Sequence, residues 1–188
     1  MSRKTVILGV SGASGAILAR DIVRVLNHCE TKVELVCSKM AERTFELELG
    51  PEALDDLRDQ VSTCHQPENL GATIASGSSP VHGMIVAPCS MRTLAAIAHG
   101  LDDNLLTRAA GVQLKERRPL ILLTREAPLT LAQLRNMVTV TEMGAIVLPP
   151  VPAFYLLPQC VEDISAQIAA RAVDLLRLAS PQASAWQG

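Results

Sequence analysis

The sequence predicts an α/β fold, a doubly wound, mostly parallel sheet flanked by helices. Short apolar runs of strand length alternate with segments of helical period, as in successive βαβ units. Hydrophobic residues make up 48% of the 188 residues, which suffices for the core of one domain. Because no internal repeat and no linker interrupts the pattern, we expect residues 1–188 to form a single domain.

The alternation gives the position of each element in order. Strands are expected at residues 5–10, 32–37, 84–87, 120–124 and 145–148. Helices are expected at residues 16–26, 40–49, 51–61, 93–98, 105–116 and 131–137, with a last one from residue 161. In folds of this kind, ligands bind beyond the carboxyl ends of the strands. Residues that directly follow a predicted strand are therefore the first candidates for a site.

Local signals support several of these elements. Pro51 suits the first position of the third helix, where a missing N–H costs nothing. Pro149 and Pro150 end the last strand, because proline cannot donate to a sheet. Glu162 and Asp163 stand in the first turn of the last helix, where acidic side chains are favoured. One apolar stripe along that helix consists of Ile164, Ile168, Ala172 and Leu175.

Charge and cysteine content exclude several classes of function. Seventeen basic and nineteen acidic residues leave no excess charge that would favour nucleic acid or a membrane surface. No apolar run approaches the roughly 20 residues of a membrane helix. The first strand begins so early that it leaves no room for a signal peptide, so we expect a cytoplasmic protein. Five cysteines without paired spacing indicate reduced thiols and no zinc site.

Two clusters of small and hydroxylated residues follow predicted strands. Residues 9–16 (Gly-Val-Ser-Gly-Ala-Ser-Gly-Ala) lie between a strand and a helix N-terminus, where backbone N–H groups can bind phosphate. They match neither a P-loop nor a dinucleotide pattern nor a nucleophile elbow, and a tight turn explains them equally well. In residues 87–94, Ser90 and Thr93 have the spacing of a helix cap. Capping and phosphate binding both remain open there.

Charged and aromatic residues form the other candidates. Arg108 and Lys115 lie two turns apart on one face of a predicted helix, although a solvated face would look the same. Arg125 and Glu126 follow a strand, where a charged pair can hold an anion and move a proton. Tyr155, the single tyrosine, stands in a proline-framed loop that suggests binding or core filling.

Two further patterns carry no functional prediction. Residues 55–59 (Asp-Asp-Leu-Arg-Asp) match the magnesium motif of all-helical isoprenoid synthases, but the predicted strands exclude that fold. They are interpreted as an exposed helix face. The four histidines are scattered singly and are interpreted as structural residues.

Taken in order, these motifs resemble the flavin prenyltransferase family of UbiX-like flavoproteins. The resemblance rests on Gly-x-Ser-Gly-Ala-Ser-Gly-Ala, Pro-Cys-Ser-x-x-Thr-Leu, Arg-Ala-Ala, Leu-Lys-Glu-Arg-Arg-Pro-Leu, Arg-Glu-x-Pro and Pro-Ala-Phe-Tyr, and extends from residue 4 to residue 187. It implies a Rossmann-like or flavodoxin-like flavin-binding domain of the kind that cysteine decarboxylases share. It also implies that the enzyme joins a dimethylallyl group from dimethylallyl phosphate to N5 and C6 of reduced FMN, without a metal.

The resemblance also implies a role for individual residues. FMN contacts are expected from Gly12, Ala13, Ser14, Ser38, Ser90, Met91, Arg92, Thr93 and Arg125. The substrate phosphate is expected to contact Arg108, Lys115, Arg125, Tyr155 and Arg171. The residues expected to take part in catalysis are Ser14, Glu48, Lys115 and Glu126. Trp186 matches a tryptophan of the family's C-terminal tail.

The resemblance further implies a homo-oligomer, expected to be a dodecamer with sites shared between subunits, and a UbiD-like decarboxylase as recipient of the prenylated FMN.

Three positions depart from the family pattern. Leu156 and Leu157 replace histidine and a polar residue, and Gly111 replaces the aspartate of Arg-Ala-Ala-Asp. A flavin-dependent decarboxylase of cysteine-type substrates and a non-catalytic FMN-binding subunit are the alternatives. The choice between a monophosphate and a diphosphate donor stays open.

Overall fold

The computed structural model describes residues 3–186, and within them six strands form one parallel sheet. Their order across the sheet is β3-β2-β1-β4-β5-β6, with every neighbouring pair parallel. The strands are β1 (Thr5–Val10), β2 (Lys32–Cys37), β3 (Thr63–His65), β4 (Met84–Cys89), β5 (Leu120–Thr124) and β6 (Ile146–Val147). The predicted doubly wound α/β fold is confirmed.

Helices cover both faces of the sheet. They are α1 (Ala16–His28), α2 (Lys39–Leu49), α3 (Ala53–Asp59), α4 (Met91–Ala98), α5 (Leu105–Lys115), α6 (Leu131–Glu142) and α7 (Val161–Asp174). Short 3-10 turns occupy Thr73–Ala75 and Phe154–Leu156. Side chains of α1, α2, α3 and α7 pack on one face, and those of α4, α5 and α6 pack on the other. Successive residues of β1 and β4 alternate between these two cores, because side chains of a strand point to opposite faces.

The direction of winding changes between β1 and β4. The chain builds β1, β2 and β3 outward in one direction and then returns to place β4, β5 and β6 on the other side. The helices that follow β1 and β4 leave toward opposite faces, which opens a crevice at the carboxyl ends of these two strands. This crevice is the place where the fold favours a ligand.

Several element boundaries differ from the prediction. Strand β3 was not predicted, because its three residues are partly exposed and show no apolar alternation. Helix α4 begins at Met91 with Ser90 as its N-cap, two residues earlier than expected. Helix α6 continues to Glu142 although its last turns contain β-branched residues of low helix propensity. Burial of Val140 in the core outweighs that preference.

Candidate active site

The residues predicted to contact FMN follow the carboxyl ends of neighbouring strands. Residues 11–15 form the loop after β1, Ser38 follows β2, and Ser90 follows β4. Arg125 follows β5, and its backbone N–H donates to the Cys89 carbonyl over 3.0 Å. Because β2, β1, β4 and β5 are adjacent in the sheet, these residues meet at a single edge. The structure thus brings this set together.

The two serines after β2 and β4 act as helix caps. The Ser38 hydroxyl accepts a hydrogen bond from the Ala41 N–H, and the Ser90 hydroxyl accepts one from the Thr93 N–H, each over 3.3 Å. Ser90 also donates to the Thr93 hydroxyl over 3.1 Å. Capping therefore accounts for these hydroxyls, while the remaining N–H groups of both first turns point toward the crevice edge and suit an anion.

Ser11 was missed at the sequence level. Its buried hydroxyl donates to the Pro88 carbonyl over 2.7 Å and accepts from the Ser90 N–H over 2.8 Å. These bonds fix the loop after β1 against the end of β4. Ser11 directly follows a predicted strand and lies within residues 9–16. Its position in the sequence could therefore have indicated this role.

A cavity of about 500 Å³ lies between these strand ends, a volume within the usual range for a bound small molecule. It is lined by Ser11, Gly12, Ser38, Lys39, Met40, Pro67, Glu68, Ser90, Arg92, Thr93, Asp103, Asn104 and Leu106. Two ion pairs border it, Lys39 with Glu68 over 3.1 Å and Arg92 with Asp103. The Arg92 guanidinium holds the pKa of Asp103 below its ordinary value. Sequence reasoning missed Lys39, Glu68 and Asp103, which lie far from the motifs or carry no pattern of their own.

The glycines of the first loop are needed for packing. A Cβ atom at Gly12 would lie 2.3 Å from the Met40 Cβ, so only glycine lets the loop approach the start of α2. Gly15 has a φ of 118°, a conformation that other residues rarely adopt. The tight turn therefore explains the glycines of this loop. The loop also lines the cavity, through Ser11 and Gly12.

The Glu48 carboxylate occupies the N-terminus of α1. Its Oε2 atom accepts hydrogen bonds from the backbone N–H of Gly15 over 2.9 Å and of Ala16 over 2.8 Å. Burial acts to raise the pKa of this carboxyl. Hydrogen bonds from the Ser14 side chain and these N–H groups, together with the charge of Arg125, outweigh burial and keep the pKa below its ordinary value. The side chain is therefore a carboxylate at neutral pH.

Arg125 and Glu126 border a second cavity of about 310 Å³ next to the first. Pro149, Pro150 and Val151 form its opposite wall. The Thr124 hydroxyl is buried at its base, and within the described residues it has no hydrogen-bond partner. The Arg125 guanidinium and the Glu126 carboxylate give this cavity the charge that suits a polar ligand.

Tyr155, Arg171 and Trp186 line a third cavity of about 490 Å³. The rings of Tyr155 and Trp186 meet edge to face, with centroids 4.9 Å apart. Pro149 and Val151 border both this cavity and the one at Arg125 and Glu126. The two cavities are therefore neighbours, and three residues of the expected phosphate set, Arg125, Tyr155 and Arg171, lie around them.

Neither Arg108 nor Lys115 lines any of these three cavities. Lys115 ends α5 before β5 begins, whereas Arg125 follows the last residue of β5. They therefore lie at opposite edges of the sheet, separated by about 16 Å of strand. Lys115 pairs with Glu116 above the Gly77 turn, and Arg108 donates to Asp102 over 2.9 Å. Their expected contact with the substrate phosphate stays a prediction, and for Lys115 it requires a second subunit.

The positions that depart from the family pattern do not line the Tyr155 cavity itself. Leu156 and Leu157 line a space of about 520 Å³ beside Arg24 and His28 of α1, which adjoins the Tyr155 cavity at Ala153 and Gln167. Leu157 is 76% exposed and has a φ of 52°. Gly111 lies on α5 beside Asp102.

Comparison with known proteins identifies the family. The flavoprotein family model matches residues 1–175. The flavin prenyltransferase UbiX of Neisseria meningitidis serogroup B is 48% identical over 185 residues, covering 98% of this chain and 97% of its own. The flavin prenyltransferase UbiX of Escherichia coli K12 is 42% identical over 188 residues, covering 98% and 99%.

This chain belongs to the UbiX-like flavin prenyltransferases.

Solved structures of the family have the same fold. AnUbiX (PadA1), solved in complex with FMN and dimethylallyl pyrophosphate, superposes with a TM-score of 0.95 at 40% identity and covers 100% of this chain and 99% of its own. A dodecameric FMN-dependent Ubix-like decarboxylase from Escherichia coli O157:H7 gives 0.91 at 43% identity, covering 98% and 100%. The cysteine decarboxylase TvaF gives 0.64 at 16% identity, covering 94% and 99%, which shows a shared fold alone.

The residues of the 500 Å³ cavity fit the FMN that this family binds. Met40, Pro67 and Leu106 give it apolar walls for a flavin ring. The first turns of α2 and α4 offer N–H groups, and Lys39 and Arg92 offer positive charge, for a phosphate. The chemistry of this donor set is that of a phosphorylated aromatic ligand.

The cysteine nearest the cavity, possible metal ligands and possible membrane spans complete the description of the residues. Burial raises the pKa of Cys89, at the end of β4, to about 12, so its thiol is not a nucleophile at neutral pH. Within residues 3–186, no group of three or more histidine, cysteine, aspartate or glutamate residues is arranged to hold a metal. No helix in the described part of the chain is long and apolar enough to span a membrane.

Proposed function

We propose that this protein joins a dimethylallyl group from dimethylallyl phosphate to N5 and C6 of reduced FMN. One observation carries the proposal: a flavin-sized cavity and a second cavity with a cation and a carboxylate adjoin at the same sheet edge. The backbone bond from Arg125 to Cys89, next to Ser90 of the flavin cavity, joins the two. A cysteine-type decarboxylase would have no use for the second cavity.

Reduced FMN, when bound, supplies the nucleophilic nitrogen N5 and the ring carbon C6 where the new bonds form. Arg125 and Arg171 hold the substrate phosphate with the Tyr155 hydroxyl and stabilise the charge that grows as phosphate leaves. Glu126, exposed at the same cavity, accepts the proton that ring closure releases. The Ser14 hydroxyl donates to the Glu48 carboxylate, which orients the Ser14 oxygen so that its lone pairs can accept a hydrogen bond from the ligands.

Lys115 and Arg108 reach the phosphate from a neighbouring subunit of a homo-oligomer, which we propose to be a dodecamer. The position of Lys115 at the far edge of the sheet supports this arrangement, since one chain cannot bring Lys115 to Arg125. Large apolar side chains near the third cavity are exposed, among them Phe154 at 70% and Trp186 at 65%. Such a patch suits burial against another subunit.

The prenylated FMN is made for a second protein. We propose that prenylated FMN passes to a UbiD-like decarboxylase as its cofactor. The free cysteines of the described chain fit a reducing compartment, and we place the protein in the cytoplasm. The donor is open between the monophosphate and the diphosphate, and a relative was solved with dimethylallyl pyrophosphate.

Release of the leaving group tests the proposal and the donor together. FMN-loaded protein is reduced with dithionite under anaerobic conditions and given dimethylallyl phosphate or the diphosphate. We expect inorganic phosphate from the first. In Glu126→Gln the ring-closed flavin, followed by its absorbance spectrum, should form at least about 100-fold more slowly, because proton transfer contributes 10²–10⁴-fold. Glu142→Gln, an exposed change on α6, is the control and should match the unmodified protein. No release from either donor would favour the non-catalytic FMN-binding subunit.

A further inference from the structure

Asp102 contacts the arginine that the proposed function assigns to the substrate phosphate. The Arg108 Nη1 atom donates to the Asp102 Oδ2 atom over 2.9 Å. Asp102 lies in the loop between α4 and α5, two residues before the N-cap Asn104. In the described part of the chain, the other guanidinium nitrogens of Arg108 make no hydrogen bond. One side of the guanidinium is therefore held by Asp102 while the other remains available for a ligand.

The Asp102 carboxylate lies over the position where a side chain at residue 111 would begin. A Cβ atom on Gly111 would lie 3.2 Å from Asp102 Oδ1 and 3.9 Å from its Cγ. Gly111 stands one helical turn after Arg108 on the partly exposed stripe of α5 that continues to Lys115. The space above this turn is therefore occupied by a carboxylate that comes from the loop.

We propose that Asp102 is a positioning residue that orients Arg108 for the prenyl phosphate, and that its carboxylate takes the place of the aspartate missing at position 111. The inference rests on the proposed function, because that function gives Arg108 its ligand. The family pattern Arg-Ala-Ala-Asp places an acid one turn after the arginine, and this chain supplies the acid from the loop at nearly the same point.

The two consecutive acids of this loop serve different arginines. Asp103 pairs with Arg92 at the flavin cavity, and Asp102 pairs with Arg108 on α5. The Asn104 side chain caps α5 through the Thr107 N–H and also donates to Asp103. Loop and helix are thus fixed to one another, so each carboxylate has a defined position.

Fold stability gives no reason for the Asp102 pair. The side chains are 43% and 33% exposed for Arg108 and Asp102, and ion pairs in contact with water contribute little to folding. A planar guanidinium that is held on one edge loses less freedom when it binds phosphate with the other. The effect should therefore appear in substrate binding.

Asp102→Asn tests the role of the carboxylate. We expect the KM for dimethylallyl phosphate to rise about tenfold with kcat within about twofold, the sign of lost binding. FMN affinity, read from flavin fluorescence, should not change. Asp56→Asn, an exposed aspartate on α3, is the matched control. An unchanged KM in Asp102→Asn would overturn the inference.

Moving the carboxylate back to the helix is the sharper test. The double variant Asp102→Asn/Gly111→Asp should return KM to within about threefold of the unmodified protein, because charge complementarity is restored. A KM as high as that of Asp102→Asn alone would contradict the proposal. If the double variant does not fold, Asp102→Glu serves instead: it keeps a carboxylate, and a KM equal to that of Asp102→Asn would contradict the proposal equally.

Calorimetric binding of dimethylallyl phosphate to the oxidised FMN-loaded protein separates this inference from the proposed function. Weaker binding in Asp102→Asn, rescued in the double variant, supports the positioning role even if the unmodified protein forms no product. If all variants bind dimethylallyl phosphate equally well and form product equally fast, the positioning role is overturned. The proposed prenyl transfer to FMN is then unaffected.

Discussion

At the scale of single residues, Glu48 has a place that its sequence position does not suggest. It lies at the far end of α2, yet its carboxylate caps the N-terminus of α1 through Gly15 and Ala16. An anion was expected at that helix end, and a side chain of the protein supplies it. The phosphate of a ligand is therefore better placed at the first turns of α2 and α4.

Glu48→Gln should lower the free energy of unfolding at neutral pH by about 1 kcal/mol, since hydrogen bonds to a charged group are lost but solvent weakens them. The pKa of Glu48 is lower in the folded chain than in the unfolded one. The stability difference between the unmodified protein and Glu48→Gln is therefore fully present above the unfolded pKa of about 4.3. It disappears as pH falls through the folded pKa. Urea unfolding between pH 3 and pH 7 measures it, with Glu142→Gln as control. A stability difference that persists at the lowest pH would contradict this assignment.

At the scale of elements, the sequence was informative wherever a signal is local. The apolar strands and the cap at Ser90 depend on neighbours within a few residues, and the structure has a strand at each of the five predicted positions. The contacts of Glu48 with Gly15 and of Asp102 with Gly111 join residues that are distant in the chain or lie on different elements. Their pairing depends on the packed fold, so no sequence pattern could predict it.

Helix α5 gives the clearest prediction at this scale, because it carries Lys115 away from the Arg125 edge. If Lys115 serves the site of a neighbouring subunit, two inactive variants should complement each other. Co-expressed Lys115→Ala and Glu126→Gln chains should regain about a quarter of full activity, the fraction of sites that receive both intact residues by random mixing.

Each variant co-expressed with itself is the control for that experiment, and gel filtration checks that the assemblies have equal size. Activity no higher than that of either variant alone would mean that Lys115 acts within its own chain or not at all. Lys115 would then belong to the solvated helix face that was the alternative interpretation of its sequence position.

At the scale of the whole molecule, the sheet order explains why the cavities lie together. The reversal of winding between β1 and β4 opens the flavin cavity, and β5, the next strand, carries Arg125 and Glu126 beside it. The C-terminal loop and α7 add Tyr155 and Arg171 across Pro149 and Val151. The 40–48% identity to UbiX proteins over nearly the full chain agrees with this arrangement.

The mass of the flavin is the most direct test of the central claim. The FMN-loaded protein is reduced, incubated with dimethylallyl phosphate without oxygen, and its flavin is extracted for mass spectrometry. The account predicts FMN that carries one additional five-carbon prenyl unit, formed only when both protein and donor are present. Unmodified FMN with both the monophosphate and the diphosphate donors, from protein that binds FMN, would contradict it.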